Sequence, residues 1–358
     1  MPVPGLFLTM GNQLSQLLMV EVPKAVWRPS LERFLQRFKP AGLIFREIVT
    51  AEALAEAAQK AAQAFGSVPF LAIEEEGNGP LKGLFTPPPP VDRSNLDDLE
   101  RAGDLIGSAM ALIGLNLNLA PTVDLPEDLQ SDAQVGTRSC EKSRLVRSLP
   151  LPVRAAQRGE DFLRGLVRHG VLACARHFPG LPPSLRKPRP DLRVIPKSMA
   201  ALWREDLVPY QALRNEVPLI QVSHAAYKAY DYEFPRPASL SPAVVEGLLR
   251  VKLGYRGVAL ADISAASQAG RLEAGEGSVQ AVAAGCDLIL VSGDESAPDS
   301  VKNSLARALE SGRLRPERIE QAVGRVKNVM KSLVPLRKLP SERDLARLER
   351  AFRDFGIA

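Results

Sequence analysis

Eight short apolar runs, each followed by sequence of helical character, constrain this chain more than any other feature. The runs are Leu6 to Met10, Gly42 to Phe45, Phe70 to Ile73, Leu115 to Ala120, Val171 to Ala175, Leu219 to Val222, Val258 to Ala261 and Leu288 to Val291. Stretches of helical period lie between them, among them Ala51 to Phe65, Leu99 to Ile113, Ala155 to His169, Pro242 to Leu253 and Ser300 to Ser311. Strands apolar enough to be covered on both faces belong to parallel sheets, and eight of them alternating with helices favour a closed α/β ring, the (β/α)8 TIM barrel, over an open sheet. The expectation is a single domain over 1–358, with a core at about 13–333 and a surface helix in 334–358. The start is ambiguous, because Gln13 to Val20 reads as either helix or strand. Pro87 to Pro90 reads as a stiff external loop, since the alternation resumes at once.

Composition removes several classes of function. At 358 residues, 45% hydrophobic and 24% charged, the chain can bury a large core. Its net charge of +5 is spread out, with one local cluster at Arg186, Lys187, Arg189 and Arg193, and aromatics make up 5%. Neither feature suits a nucleic-acid partner. No apolar run reaches the ~18 residues of a membrane span and no basic-led signal segment opens the chain, so the expected location is cytoplasmic. Cys140, Cys174 and Cys286 form no metal or CxxC spacing and read as free thiols, and the three His residues are not at metal-ligand spacing.

In a barrel of this kind, ligands meet the C-terminal ends of the strands. Those ends carry Glu74, Glu75 and Glu76, then Asp124, Arg176 with His177, His224, Asp262 and Ser292. Carboxylates, imidazoles and a guanidinium on one rim suit the binding and cleavage of a polyhydroxylated ligand.

Two segments carry a family resemblance. Ala175-Arg176-His177-Phe178-Pro179-Gly180 and Gly114-Leu115-Asn116-Leu117-Asn118-Leu119-Ala120-Pro121-Thr122-Val123-Asp124 resemble the catalytic barrel of glycoside hydrolase family 3, in the branch of the bacterial β-N-acetylglucosaminidases of cell-wall recycling. Gly136-Thr137-Arg138-Ser139, Ser223-His224, Pro237-Ala238-Ser239-Leu240-Ser241 and Leu253-Gly254-Tyr255-Arg256-Gly257-Val258 follow in family order, so the similarity runs from about Gln13 to Leu333. The resemblance implies a retaining hydrolase with no metal or organic cofactor, in which Asp262 occupies the nucleophile position. It also implies sugar contacts from Glu74, Arg138, Arg176, His177 and His224, on a small saccharide or peptidoglycan-derived ligand. Bland readings stand beside these roles: Asp262 capping the next helix, His177 a satisfied core histidine, His224 a structural hydrogen bond, and Glu74 to Glu76 a solvated acidic turn.

The chain departs from the family pattern in two places. After Phe-Pro-Gly the family has His-Gly-x-Thr-x-x-Asp-Ser-His, whose Asp-His pair is the acid/base; here Lys187 and Arg189 stand at those positions, with Asp191 the nearest carboxylate. Neither cation releases a proton near neutral pH. At the third strand Asp-Gln-Glu-Gly-Gly-Arg has become Glu74-Glu75-Glu76-Gly77-Asn78-Gly79, and Ile263 follows Asp262 where the family has Asp or Trp. Three readings follow: a hydrolase of weakened or lost activity, a disarmed barrel that binds a sugar or an anionic cell-wall fragment, and an interaction surface built on the basic 186–193 loop.

Overall fold

In the computed structural model, the structure describes residues 13–65, 67–77, 79–85, 96–126, 149–186, 191–294, 296–334 and 339–357. Eight parallel strands close on themselves: β1 Leu18–Lys24, β2 Gly42–Glu47, β3 Phe70–Ile73, β4 Leu117–Asn118, β5 Leu172–Phe178, β7 Leu219–Val222, β9 Val258–Asp262 and β10 Leu288–Val291. Two further short strands, β6 Val194–Ile195 and β8 Ala226–Tyr227, pair with each other outside the ring. Seven of the eight barrel strands lie where the apolar runs predict them. The first does not. Leu6 to Met10 falls outside the described residues, and the ring closes through Leu18–Lys24, which pairs with β10 from Leu18↔Ile289 and with β2 from Met19↔Gly42. The ambiguous stretch divides: 13–15 form a helical turn and the strand begins at Leu18.

Alternation along each strand sorts the core into two layers. Met19, Ile44, Ala72, Leu117, Cys174, Leu219, Leu260 and Leu290 share one cluster, which fills the barrel. Leu18, Val20, Leu43, Phe45, Ile220, Val222, Ala259 and Ala261, the intervening positions, pack outward with the helices. The helix Pro316–Met330 supplies Val326 to the inner cluster, with Val329 and Met330 packed against it. Beneath the last strand, fully buried Asp287 accepts hydrogen bonds from Arg250, Arg318 (2.8 Å) and Arg325 (2.9 Å), and from the Ala259 amide at 3.1 Å. It thereby ties the helices around β9 and β10 to one point. The predicted helix at Pro242 to Leu253 is present over Ala243–Lys252 but is π-wound, with the Leu253 amide reaching back to the Leu248 carbonyl at 2.9 Å. Glu342–Ile357 is the terminal helix, and it docks through buried Phe352, whose ring stacks on Phe85 at 5.3 Å.

Candidate active site

Two residues beyond the apolar inner layer, the same inward-facing parity reaches Glu21, Arg46, Glu74, Arg176, Gln221, Asp262 and Ser292. One ring of positions thus turns from apolar to polar at the C-terminal ends of the strands. These side chains are knit together. Arg46 Nε donates to Glu21 at 2.8 Å, and its Nη1 lies 3.5 Å from Glu74. Arg176 Nη2 bonds Glu74 at 2.7 Å and approaches Glu76 at 3.4 Å, while its Nε donates to Thr122 Oγ1 at 3.1 Å. Ser292 Oγ donates to Glu21 at 2.7 Å. Burial alone would raise the Glu74 carboxyl, but the Arg176 hydrogen bond and charge, with Arg46 and His177, outweigh it and hold the group below its ordinary value.

Asp262 sits at the end of β9 and does two things. Its Oδ1 accepts the Ser264 amide at 3.1 Å and the Ala265 amide at 3.3 Å, so it caps the helix Ile263–Gly270. Its Oδ2 takes no hydrogen bond among the described residues, and the residue shares the inward-facing parity of the ring. Burial raises its pKa and the Glu21 charge adds to the rise, against the two amides and Arg46, which pull it down. Arg46 therefore neighbours both Asp262 and Glu74, and the charge of His177 also reaches Glu74.

His177 is held from behind. Its Nδ1 lies 2.9 Å from Asp124 Oδ2, and its amide donates to Asp124 Oδ1 at 2.9 Å, as does the Leu181 amide. Only Nε2 is left for a ligand. Asp124 is fully enclosed; burial pushes its carboxyl upward, but the His177 charge and hydrogen bonds and the two amides outweigh that and hold it below the ordinary value. Arg186 Nε comes within 3.4 Å of the same carboxylate, so this member of the basic loop reaches inward. His224 Nε2 lies 3.1 Å from the Leu185 carbonyl, the structural bond weighed as its alternative role, and burial, with the His177 charge, lowers its pKa. Asp191 turns away, pairing with Arg193 at 3.0 Å on the surface. Arg138, Lys187 and Arg189 lie outside the described residues.

The acidic turn is solvated only at Glu74, which is exposed while bonded to Arg176. Glu75 is buried, and its carboxylate folds back onto the amides of Gly77 (2.7 Å), Gly79 (2.9 Å) and Leu81 (2.9 Å). Glu76 accepts from Thr122 Oγ1 at 2.6 Å. A Cβ at Gly79, where the family carries Arg, would stand 2.2 Å from the Glu74 carbonyl, so the turn has closed on the glycine.

Strand-end reading passed over Glu21, Arg46 and Gln221 and gave Asp124 no role. Their signal was present as parity: Met19-x-Glu21, Ile44-x-Arg46 and Leu219-x-Gln221 each place a polar residue two beyond an inner-layer apolar one. Gln221 is the outlier of the ring, 7% exposed with an amide oxygen that finds no partner among the described residues.

Comparison with known proteins adds four findings. Residues 9–329 match the Glycosyl hydrolase family 3 N terminal domain. A protein of Arthroderma benhamiae named as an uncharacterized secreted glycosyl hydrolase is 28% identical over 351 residues, 92% of this chain and 96% of its own length. The β-hexosaminidase of Pseudomonas aeruginosa is 30% identical over 248 residues, 66% of this chain and 70% of that protein. Among solved structures, a glycoside hydrolase family 3 β-N-acetylglucosaminidase from a Paenibacillus species superposes with a TM-score of 0.77 at 26% identity, covering 96% of this chain and 68% of that one.

Proposed function

This chain belongs to glycosyl hydrolase family 3, and from that premise we propose that its barrel mouth seats an N-acetylhexosamine ring of a cell-wall saccharide, with Asp262 at the anomeric carbon and no efficient proton donor at the leaving oxygen. What supports this reading is the polar ring itself, in which Glu74, Arg176, Gln221 and Asp262 share the inward-facing parity at the C-terminal ends of the strands, and His177, next to Arg176, spends Nδ1 on Asp124 and keeps Nε2.

In the retaining sequence, Asp262 attacks C1 through its uncapped oxygen, the glycosyl–oxygen bond breaks, and water later releases the sugar from the carboxylate. The capping amides fix the other oxygen, which keeps the attacking one aimed inward. Arg176 and His177 donate to ring hydroxyls, and Gln221 answers a hydroxyl or the acetamido N–H with its unpaired oxygen. The weak step is protonation of the departing oxygen. Lys187 and Arg189 hold their protons at neutral pH, and Asp191 is spent on Arg193. The absence of a donor costs about 10² to 10⁴ in rate, so turnover depends on how well the leaving group departs as an anion.

An aryl N-acetyl-β-glucosaminide therefore reacts measurably, its alkyl counterpart reacts far more slowly, and Asp262→Asn removes both activities. Gln221→Met weakens N-acetylglucosamine binding roughly tenfold, the cost of about one hydrogen bond. Equal rates on aryl and alkyl substrates would reveal an effective acid and overturn the reading. A second reading, binding without turnover, is favoured by the 3.0 Å Asp191–Arg193 pair, which withdraws the nearest substitute proton donor and leaves the sugar contacts in place. Saturable sugar binding with no aryl hydrolysis selects it.

A further inference from the structure

At the same end of the barrel as the mouth, a second hollow of about 550 Å³ lies between the first and last strand–helix units. That size suits a small molecule. Its floor is apolar, formed by Val20 and Val22 on the outward face of β1 and by Leu31 and Phe34 of the helix Pro29–Phe38. Its lip is cationic, carrying Arg28, Arg33 and Arg37.

The charges around it are unevenly engaged. Arg37 is occupied by Asp299, at 2.7 and 3.4 Å. The two acids on the wall are also engaged: Asp294 accepts from the Ser296 amide (3.0 Å) and hydroxyl (2.7 Å) and the Ala297 amide (3.2 Å), while Glu21 holds Arg46 and Ser292. The side chains of Arg28 and Arg33 have no ion pair or hydrogen bond among the described residues. Arg28 precedes the helix Pro29–Phe38 and Arg33 lies in its second turn; no side chain caps the helix start, and the first-turn residues Ser30 and Leu31 line the hollow. Two unengaged guanidiniums beside an uncapped helix start favour a phosphate-like group. The floor beneath them is of no use to a bare ion, and the lip is of no use to a neutral hydrocarbon.

We propose that this hollow is a binding site for a small soluble phosphate monoester with an aliphatic or aromatic tail. The phosphate sits between Arg28, Arg33 and the helix start, and the tail lies over Phe34 and Val22. Glu21 is the wall shared with the barrel mouth, so the two hollows are neighbours, but this assignment does not depend on the sugar reading.

Titration calorimetry on the intact chain with octyl phosphate below its micellar concentration tests it, with inorganic phosphate and octyl β-glucoside as controls. Octyl phosphate binds with one-to-one saturation. Arg28→Glu and Arg33→Glu each weaken it about tenfold or more, as loss of one charge-assisted hydrogen bond would, and both controls bind at least tenfold more weakly. Both arginines are exposed, so circular dichroism of the variants should match that of the unmodified chain. Failure to bind octyl phosphate overturns the proposal. So does parity with octyl glucoside, which would mean an apolar groove only, or parity with inorganic phosphate, which would mean an anion site without a tail. Affinity unchanged in both variants would move the ligand to other cations, such as Arg46 and Arg176, and end this assignment.

Discussion

A carboxylate that caps a helix from within a ring of charged side chains carries an electrostatic conflict. Burial and the Glu21 charge raise the Asp262 pKa above its ordinary value despite two amides and Arg46. A carboxyl with a raised folded pKa contributes stability that is fully present below its unfolded value of about 3.9 and is lost as pH rises through the folded value. At pH 7 the ionised group is therefore a burden on the fold. Asn caps helices as well as Asp does, so Asp262→Asn keeps the cap and sheds the charge. Its melting temperature should exceed that of the unmodified chain at pH 7, and the gap should close as pH approaches 4. A lower melting temperature at pH 7 would mean that the charge at Asp262 stabilises the helix more than it burdens the site. At this scale the sequence was informative about strand ends and silent about partners. Asp262, Arg176 and His177 stand on one rim as read, but nothing in one dimension indicated that Glu74 would be drawn onto Arg176 or that Asp124 would clasp His177. Those pairings depend on segments 102 and 53 residues apart in the chain meeting at the ring.

The loop leaving β5 is fastened at its root. Ser223 donates its amide to the Phe178 carbonyl at 2.8 Å, Tyr227 donates its hydroxyl to the Gly180 carbonyl at 2.6 Å, and Asp124 and His224 hold Leu181 and Leu185. Gly180 is the tightest point: its φ is +130°, and a Cβ there would stand 2.6 Å from the Cβ of Asp206, itself bonded to Lys197 at 2.5 Å. Glycine is required both by the backbone conformation and by the space. Gly180→Ala should loosen the loop root selectively, seen as faster amide exchange over residues 178–186 and weaker sugar binding, with strands such as β2 and β3 unaffected. Uniformly faster exchange along the whole chain would show that the root supports the fold and not the site alone. The elements were mostly legible because apolar runs buried on both faces have few alternatives. β1 was not, because Leu17-Leu18-Met19-Val20 is equally apolar as helix or strand, and only pairing with β2 and β10 decides it.

Across the whole molecule, a polar ring and a buried ion cluster sit at opposite ends of the same strands. The C-terminal ends carry a polar ring that is buried at Arg176 and Gln221 and more open at its other members, and the Gln221 amide oxygen has no partner among the described residues. Near the N-terminal end of β10, Asp287 is 0% exposed and gathers three guanidiniums, one from the helix before β9 and two from the helix Pro316–Met330. Those guanidiniums in turn serve backbone carbonyls: Arg250 bonds Gly257 at 2.7 Å and Arg318 bonds Cys286 at 2.6 Å. Asp287→Asn keeps the shape but leaves buried cations without a counter-charge, a change that costs about 3–5 kcal/mol when one partner of such a cluster is removed. In this fold the face opposite the active end serves stability, so the two ends should respond separately. Thermal and urea unfolding should show that loss in Asp287→Asn, while N-acetylglucosamine affinity, measured well below the new midpoint, stays within twofold of the unmodified chain. A variant of normal stability would show that the guanidiniums, two of them partly exposed, do not need the carboxylate. A large loss of affinity in a well-folded variant would show that the barrel transmits strain along its strands and that its two ends are one cooperative unit.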